Sequence, residues 1–228
     1  MPARRRSPSR PLALAGQRWV VTAGPTREHL DDIRFLTNAS TGRMGIEVAR
    51  AAARRGAEVV LVLGPTHLPP PPGVETVRIT SVRDLLKATR AAAANADVVV
   101  FTAAPSDWRP RTRQKGKPPR AAGGFDLPLE ATEDVAATLG RRKGRRIHVG
   151  FALEVAAGTK RARTKLATKR FDAIVLNGPA NFGAGGGDAL WIPAEGDPAP
   201  LPTTTKARLA GALVTRTARL VRGSEAGA

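Results

Sequence analysis

Residues 43–63 read RMGIEVARAAARRGAEVVLVL, and this stretch decides the fold. Arg43 to Arg55 predicts a helix that stops at Gly56, because glycine is the usual left-handed residue after a helix. Ala57 to Leu63 is an apolar run that predicts a strand. Before the helix in sequence, the run from Trp19 to Thr22 predicts a buried strand. Two strands joined through a helix form a parallel pair, so the stretch predicts a βαβ unit.

Helices and strands continue to alternate along the rest of the chain. Asp97 to Thr102 is the most hydrophobic run and predicts a central strand, whereas Val74 to Thr80 alternates and predicts a strand nearer the edge. Ser81 and Asp84 predict a capping box for a helix through about Ala94. Further helices are predicted from Thr132, which would cap the first of them, to Leu139, from Gly158 to Arg170 and from about Thr204 to Val221. Further strands are predicted from Arg146 to Phe151, from Asp172 to Leu176 and from Ala189 to Ile192. No regular element is predicted from Ala103 to about Leu127. The alternation is typical of an α/β fold, here a Rossmann-like doubly wound three-layer sandwich with a mostly parallel central sheet.

The length and composition limit the class of protein. The 228 residues fit one domain, and we predict a disordered basic tail over residues 1–16 and a single domain over residues 17–228. The chain has no cysteine, which excludes disulfides and thiolate metal sites, and its three histidines, His29, His67 and His148, are too scattered to predict a ligand cluster. Since it contains neither a signal-peptide core nor an apolar run long enough to span a membrane, we expect a soluble, cytoplasmic protein.

The net charge is strongly positive. Against 19 Asp and Glu stand 37 Lys and Arg, and the formal charge of +18 predicts anionic partners such as nucleotides, phosphorylated metabolites or nucleic acid. An arginine bias from a GC-rich genome explains the excess equally well. Arginines cluster at residues 4–6, 109–120, 141–146 and 160–170, so a nucleic-acid-binding module is a second hypothesis. Three Trp, six Phe and no Tyr leave few rings for stacking on bases, however, and no nucleic-acid-binding motif occurs, so nucleic acid is the weaker reading.

A long connection precedes the first helix. Residues 23–38 follow the first strand, although loops of this kind usually have about two to six residues. The segment carries groups suited to carboxylates and phosphates, among them Arg27 and Arg34, which favours a substrate-binding insertion. The segment lacks the G-x-G-x-x-G motif. Gly64 follows the second strand, at the position where a dinucleotide-binding domain has an Asp or Glu that binds the ribose. A dinucleotide-dependent oxidoreductase is therefore disfavoured.

The stretch FLTNASTGRMG, residues 35–45, forms the junction between that connection and the helix. Ser40 and Thr41 offer hydroxyl donors, and Gly42 allows close approach or a positive φ where the helix N-terminus would attract phosphate. Gly45, one turn later, would allow tight packing on the sheet. The alternative is that Ser40 or Thr41 only caps the helix.

Six blocks of the sequence resemble phosphopantothenate–cysteine ligase, the C-terminal ligase half of the bifunctional bacterial coenzyme A biosynthesis protein. In the family's order they are AGPTRE at 23–28, IRFLTN at 33–38, STGRMG at 40–45, AAPSDWR at 103–109, GFA with Glu154 at 150–154, and DAIVLN at 172–177. The likeness runs from about residue 18 to residue 192.

The resemblance implies an enzyme that joins 4'-phosphopantothenate and L-cysteine. CTP, or ATP as the alternative, would convert the carboxylate to an acyl-nucleotide with the help of Mg²⁺ and release pyrophosphate, because a carboxylate alone lacks a good leaving group. The cysteine amine would then displace the nucleoside monophosphate. The resemblance also implies a homodimer. We expect no flavin-dependent decarboxylase half and hence no FMN site, so the chain would be a stand-alone ligase or would work beside a separate decarboxylase.

The resemblance further implies roles for single residues. Asn38 would hold the acyl-nucleotide, and Arg34 would contribute to substrate binding or the second half-reaction across the dimer interface. Lys117 would clamp the triphosphate from a mobile loop, and Asp107 would recognise the base or the ribose. The other nucleotide contacts would come from Gly24, Ser40, Thr41, Gly42, Ala103, Ala104, Phe151 and Ala152. The metal ligands stay unknown.

The sequence departs from the family pattern in several places. The departures are prolines at 118 and 119 in the clamping loop, ATED at 131–134 for the usual Lys-Asn-Pro-Asp, Val155 for a threonine, Gly178 for an aspartate, and a simplified glycine-rich loop at 182–188. Lys115 or Arg120 could take the clamping role of Lys117. The choice between CTP and ATP is therefore left open, and a catalytically weakened paralogue is an alternative to the active ligase.

Overall fold

The computed structural model of the chain describes residues 13–117, 126–153, 158–178, 189–202 and 204–226. Its helices are α1 (Arg43–Ala53), α2 (Val82–Ala92), α3 (Val135–Gly140), α4 (Gly158–Thr168) and α5 (Lys206–Ala226), with a 3-10 turn at Ala93–Asn95. Its strands are β1 (Arg18–Ala23), β2 (Arg27–His29), β3 (Phe35–Thr37), β4 (Glu58–Leu63), β5 (Glu75–Arg78), β6 (Val98–Phe101), β7 (Trp108–Pro110), β8 (Leu129–Ala131), β9 (Ile147–Leu153), β10 (Ala173–Asn177), β11 (Ala189–Pro193) and β12 (Ala199–Leu201). Three stretches singled out in the sequence lie outside the described residues: 118–120, 154–155 and 182–188.

Eight strands form one mixed sheet in the order β12-β11-β10-β9-β6-β1-β4-β5. The strands from β5 to β10 in this order are parallel, and β11 and β12 are antiparallel to their neighbours. All of β6 is buried and β5 lies at the edge, so the predicted central and edge strands are confirmed. The direction of strand addition reverses between β1 and β6. In open α/β sheets, ligands bind outside the carboxyl ends of the strands at such a switch point.

Helices cover both faces of the sheet. Successive residues of a strand point to opposite faces, so the buried strands present apolar side chains on both sides. In β1, the buried side chain of Val21 packs in the core that α1 and α5 cover, whereas Val20 packs in the core that α2, α3 and α4 cover. Burial of one such side chain stabilises the fold by about 1.5–3 kcal/mol. The predicted doubly wound three-layer sandwich is confirmed.

The long connection after β1 is folded. Strands β2 and β3 pair as an antiparallel hairpin, and the Thr37 hydroxyl donates to the Thr26 carbonyl at 2.7 Å. The buried Glu28 carboxylate accepts a hydrogen bond from the Val82 N–H at 2.8 Å, which ties the hairpin to the first residue of α2. The insertion is therefore attached to the sandwich as a second, small layer of structure.

Two local predictions need correction. The expectation of no regular element over residues 103–127 is wrong for β7, which pairs with β8 in an antiparallel ribbon. Thr132 is not the cap of α3, because the Asp134 carboxylate accepts the Ala137 N–H at 2.9 Å. The Thr132 hydroxyl instead donates to the Ser106 carbonyl at 2.6 Å.

The ordered domain also begins before residue 17. Leu14 is buried in the core under α1 and α5, and its N–H donates to the Arg55 carbonyl at 2.9 Å. The predicted tail over residues 1–16 is thus wrong for Leu14, and its residues 1–12 lie outside the described part of the chain. Within the ranges that the structure describes, no helix has the length and apolarity needed to cross a membrane.

Candidate active site

The amino end of α1 is held against the sheet by glycines. Gly42 precedes the helix with φ of +75°, and a Cβ placed on it would lie 3.2 Å from the Gly24 Cα. Only glycine adopts this conformation at low cost. The Gly24 carbonyl in turn accepts the Ala104 N–H at 2.9 Å, which joins the same point to the end of β6.

Close packing continues one turn into the helix. A Cβ on Gly45 would lie 2.3 Å from the Thr102 hydroxyl oxygen and 2.4 Å from the Ala23 Cβ, so any side chain there would push α1 away. The predicted tight packing at Gly45 is confirmed. It brings the N–H groups of the first turn of α1 to the carboxyl ends of β1 and β6, where an anion would be favoured.

The simple capping role of Ser40 and Thr41 is not what the structure shows. Gly42 is the N-cap of α1, and no side chain in the described ranges forms an N-cap hydrogen bond there. Thr41 Oγ1 accepts the Arg43 N–H only at 3.4 Å, and Ser40 Oγ accepts the Gly42 N–H at 3.3 Å. Both hydroxyls line the concave surface in front of the helix.

That surface is a cavity of about 610 Å³, which we call the α1 cavity. Its wall combines the junction before α1, the ends of β6, β9 and β10, the last turn of α4 and the first residue of α5. Nine residues that the sequence assigns to the site line it: Asn38, Ser40, Thr41, Gly42, Ala103, Ala104, Asp107, Phe151 and Ala152. They come from segments that are up to about 110 residues apart in sequence, so the fold alone brings them together.

Asn38 fastens the insertion to the end of β6. Its Nδ2 donates to the Ala104 carbonyl at 3.2 Å and to the Pro105 carbonyl at 2.8 Å. These two bonds use both amide hydrogens and so fix which way the amide points. The Oδ1 atom is left as the acceptor that Asn38 can offer to a ligand.

The segment that carries Asp107 is equally well held. The Thr22 hydroxyl oxygen accepts the Ala103 N–H at 3.3 Å, and Thr26 Oγ1 accepts the Ser106 N–H at 3.0 Å. The Asp107 carbonyl accepts the Thr132 N–H at 3.0 Å, while the residue itself is exposed. Among the described residues that line the α1 cavity, Asp107 is the one with a carboxylate.

Sequence reasoning assigned no role to five polar residues of the α1 cavity: Arg43, Thr102, Lys165, Asn177 and Lys206. Lys165 comes from α4, Asn177 from the end of β10 and Lys206 from the first residue of α5. Asn177 closes a block that resembles the family, but the two lysines stand in helices whose basic character gave no sign of a site. Burial lowers the pKa of the Lys206 ammonium. Together with Arg43, these lysines make the cavity wall cationic.

Arg34 and Lys117 do not line the α1 cavity. Arg34 lies in the turn between β2 and β3, where its Nε donates to the Asp31 carboxylate at 2.6 Å. The N–H groups of Arg34 and Ile33 also donate to Asp31, and these contacts lower the pKa of Asp31 to about 2. These contacts fix the shape of the turn.

Lys117 is exposed and follows a segment that is anchored to the same turn. The Gly116 N–H donates to the Asp32 carboxylate at 2.8 Å, and Arg113 forms an ion pair with Asp32 at 2.9 Å. The base of the predicted clamping loop therefore contacts the hairpin. Since residues 118–125 lie outside the described ranges, Arg120 has no described position.

A second cavity of about 660 Å³ adjoins the first, and we call it the hairpin cavity. Asn38, Ser40, Thr41 and Arg43 line both cavities. Among the described residues, the basic side chains that line this cavity and not the α1 cavity are Arg27, His67 and Arg78. Two chambers suited to anions therefore meet along the junction that precedes α1.

This junction is rigid on the hairpin side as well. The Thr66 hydroxyl donates to the Thr41 carbonyl at 2.7 Å, and the Arg27 guanidinium lies 4.4 Å from the centre of the Phe35 ring. A cation stacked on a ring keeps donors available for an anionic ligand. The arrangement suits a reaction between two substrates that both carry negative charge.

Comparison with known proteins confirms the relationship that the six sequence blocks predict. The family described as DNA/pantothenate metabolism flavoprotein C-terminal domain matches residues 14–220. The chain is 42% identical over 175 residues to the coenzyme A biosynthesis bifunctional protein CoaBC of Bacillus subtilis, covering 76% of this chain and 43% of that protein. It is 36% identical over 210 residues to CoaBC of Vibrio cholerae, covering 90% of this chain and 53% of that protein.

A solved structure agrees. The crystal structure of the C-terminal domain of a coenzyme A biosynthesis bifunctional protein CoaBC is 36% identical, with a TM-score of 0.82, covering 93% of this chain and 99% of that chain. The chain spans about half the length of the curated relatives it matches. On this evidence, the chain belongs to the DNA/pantothenate metabolism flavoprotein C-terminal domain family.

Proposed function

We propose that the protein joins 4'-phosphopantothenate to L-cysteine and so makes phosphopantothenoylcysteine for coenzyme A biosynthesis. Its relatives are named for coenzyme A biosynthesis, and a solved relative is the C-terminal domain of such a protein. The observation that carries the proposal is that one cavity collects the family-like residues of segments 38–42, 103–107 and 151–152. A helix N-terminus and several cations face that cavity, which suits substrates with phosphate groups.

The proposed reaction has two steps. A carboxylate oxygen of phosphopantothenate attacks the α-phosphorus of CTP, and the bond from that phosphorus to pyrophosphate breaks. The cysteine nitrogen then attacks the acyl carbon, the bond to CMP breaks, and the amine loses its proton. Negative charge grows on oxygen atoms in both steps, so fixed positive donors are expected to supply most of the catalysis. ATP in place of CTP would follow the same route.

The nucleotide would occupy the α1 cavity with its phosphates at the amino end of the helix. The Ser40 and Thr41 hydroxyls would donate to phosphate oxygens, and Lys165 and Lys206 would compensate their charge. The small side chains of Ala103 and Ala104 and the Phe151–Ala152 pair would leave room for the nucleoside. The α-phosphorus would then lie near Asn38.

Mg²⁺ fits this arrangement. The ion is usually held by one or two carboxylates together with substrate phosphates and water, and Asp107 supplies one carboxylate at the wall of the α1 cavity. Among the described residues there is no group of three or more His, Asp or Glu that could hold a metal ion by protein ligands alone. Asp107 would therefore hold Mg²⁺, whose chemistry is to neutralise phosphate charge. Recognition of the base or ribose is the alternative role of Asp107.

The acid substrate would occupy the hairpin cavity. Arg27, His67 and Arg78 can bind its phosphate, and Asn38 stands where this cavity meets the α1 cavity. The carboxylate of the substrate would then reach the junction between the chambers. Asn38 would orient the acyl-nucleotide through Oδ1, since its two N–H groups are already bonded to the Ala104 and Pro105 carbonyls.

We further propose a homodimer in which the β2–β3 hairpin takes part. Arg34 does not line the α1 cavity of its own chain, and the neighbouring Ile33 is 61% exposed. Trp108 on β7 is 55% exposed. Apolar side chains exposed this far favour a contact with another protein surface. A second copy of the chain would bring Arg34 to the partner's cavity.

The test is a pyrophosphate-release assay with CTP and with ATP, run with and without phosphopantothenate. We expect release only in the presence of phosphopantothenate. Asn38→Asp should lower the rate at least tenfold, because a carboxylate would face the Ala104 and Pro105 carbonyls without a donor. Asn95→Asp, at an exposed position after α2, is the matched control and should keep the wild-type rate. Absence of turnover with either nucleotide would favour the catalytically weakened paralogue.

A further inference from the structure

A second concave, positively charged surface lies beside the amino end of the central strand β9, at the opposite end of that strand from the α1 cavity. It is a cavity of about 410 Å³ between the end of α2, the end of α3 and the residue before β9. Its charged side chains are Arg90, Arg141, Arg142 and Arg146, which together we call the arginine cleft. β9 begins at Ile147 beside this cleft and ends at the α1 cavity, so the two cavities lie at opposite ends of one strand.

Among the described residues, no acidic side chain compensates the charge of the arginine cleft. No acidic side chain of the described residues lines the cavity, and none of its four arginines forms one of the ion pairs found within the described ranges. The neighbouring Lys143, in contrast, is paired with Asp172 at 2.6 Å. An arginine-rich composition explains how many arginines the chain has, but it does not explain why four of them surround one concavity.

Part of the cleft is already oriented by the fold. Arg146 donates to the Ala93 carbonyl at 3.3 Å and also to the Arg142 carbonyl, and Arg141 donates to the Thr138 hydroxyl at 3.0 Å. The buried Arg146 Nε has no hydrogen-bond partner among the described residues. A guanidinium has five donors, so each of these side chains keeps several for a ligand.

We propose that the arginine cleft is a second ligand site, which binds a small anion with two or more linked phosphates. Guanidinium forks match phosphate oxygens in pairs, and the four positive charges exceed the charge of one phosphate group, which is roughly −1.5 to −2 at neutral pH. The volume lies within the range of small-molecule sites, roughly 300–1,000 Å³. Ala93, Ala94 and Leu139 complete the wall and leave an apolar floor for the rest of the ligand. The site is independent of the proposed ligase reaction.

Calorimetric titration of the full chain with inorganic tripolyphosphate tests this proposal. Arg141→Gln/Arg142→Gln should bind one equivalent fewer than the wild type. Arg54→Gln/Arg219→Gln removes the same charge from exposed positions elsewhere and should bind as many equivalents as the wild type. Arg146 is left intact because its bonds to the backbone support the fold. Any tripolyphosphate that binds at the α1 cavity would bind to all three proteins alike. It therefore does not change the difference in bound equivalents between them.

Three results would overturn the proposal. The first is an unchanged stoichiometry in Arg141→Gln/Arg142→Gln, and the second is an equal loss in the charge-matched control, which would show general attraction of anions. The third uses a single-stranded oligothymidylate: if it binds through Arg141 and Arg142 while tripolyphosphate does not, the cleft is a nucleic-acid surface. Thermal unfolding of each variant shows that a lost equivalent is not caused by lost folding.

Discussion

Gly42 and Gly45 place the start of α1 against the sheet because neither has a side chain. The space that a Cβ would need is already taken by Gly24, Ala23 and Thr102. The close packing of α1 on the sheet requires that Gly42 and Gly45 have no Cβ. This packing fixes the position of Ser40 and Thr41, which directly precede Gly42. These residues were open to prediction from sequence because glycine and hydroxyl residues before a helix have a physical meaning there.

Gly42→Ala should weaken nucleotide binding. Alanine at φ of +75° costs about 1–2 kcal/mol of unfolding free energy, and its Cβ would press on Gly24. Gly73→Ala is the matched control, because Gly73 has φ of +73° with nothing within 4 Å of the added Cβ. Urea unfolding should show a similar loss for both variants, whereas calorimetry should show at least tenfold weaker CTP binding only for Gly42→Ala. Equal CTP affinities in the two variants would refute a phosphate-binding site at Gly42.

His148 should make stability depend on pH. Burial, with help from Lys143 and Arg146, lowers the pKa of His148 to about 3, and neither ring nitrogen has a hydrogen-bond partner among the described residues. Below pH about 6.5, His148 binds a proton in the unfolded chain but stays neutral in the folded chain. The free energy of unfolding therefore has its full value above that pH and falls as the pH drops towards 3. Between pH 7.5 and 5.0 the loss should be about 2 kcal/mol.

The measurement is urea unfolding at both pH values for the wild type and His148→Phe. The variant should lose about 2 kcal/mol less than the wild type over this interval. Asp31 does not interfere, because its lowered pKa of about 2 places its titration below the interval. The same pH dependence in both proteins would show that His148 is not the group responsible.

The β2–β3 hairpin is the element that distinguishes this site from a plain βαβ unit. It is attached on one side to α2 through Glu28 and on the other to the end of β6 through Asn38. Its turn also contacts the base of the predicted clamping loop at Gly116. The hairpin segment is thus tied to α2, to the segment after β6 and to the residue before Lys117.

Glu28→Ala should destabilise the protein by about 1–3 kcal/mol, because it leaves the Val82 N–H without its acceptor in a buried place. Glu28→Gln is the matched control, since its amide oxygen can still accept that hydrogen bond. The free energy of urea unfolding should fall clearly for the first variant and by less than half as much for the second. Equal losses would mean that the charge of Glu28, and not the bond to Val82, holds the hairpin.

Sequence patterns predicted the long elements and missed the short ones for a physical reason. The strands β1, β4, β6 and β9 are buried on both faces, so their apolar runs are visible without any partner. The strands β7, β8 and β12 have three residues each, which is too few to show a period. The cap of α3 is Asp134 because Thr132 is used to bind the Ser106 carbonyl, a contact that no local pattern contains.

The same limit applies to the candidate site. Segments next to glycines or in family-like blocks could be identified, and nine of those residues meet in the α1 cavity. Lys165 and Lys206 could not, because only the fold brings α4 and α5 to the same place as α1. The position of Arg34, turned towards Asp31 in the hairpin, likewise depends on how the insertion folds.

For the whole molecule, complementation of two inactive variants tests the proposed dimer. If Arg34 acts in the partner's cavity, a mixture of Arg34→Ala and Asn38→Asp chains should regain activity, because each mixed dimer contains one intact site. Random assortment gives about one quarter of the wild-type activity. Light scattering with chromatography should show a dimer of the 228-residue chain. A mixture that stays inactive while dimers form would place Arg34 in its own chain's site.

In the proposed reaction, the carboxylate of phosphopantothenate becomes an acyl-nucleotide, a mixed anhydride, between the hairpin cavity and the α1 cavity. The most direct measurement uses phosphopantothenate with ¹⁸O in its carboxylate and follows the label by mass spectrometry after reaction with CTP and cysteine. Transfer through an acyl-nucleotide predicts that one labelled oxygen appears in CMP and none in pyrophosphate. Label in an inorganic phosphate product, or unlabelled CMP alongside the formed amide, would contradict the account.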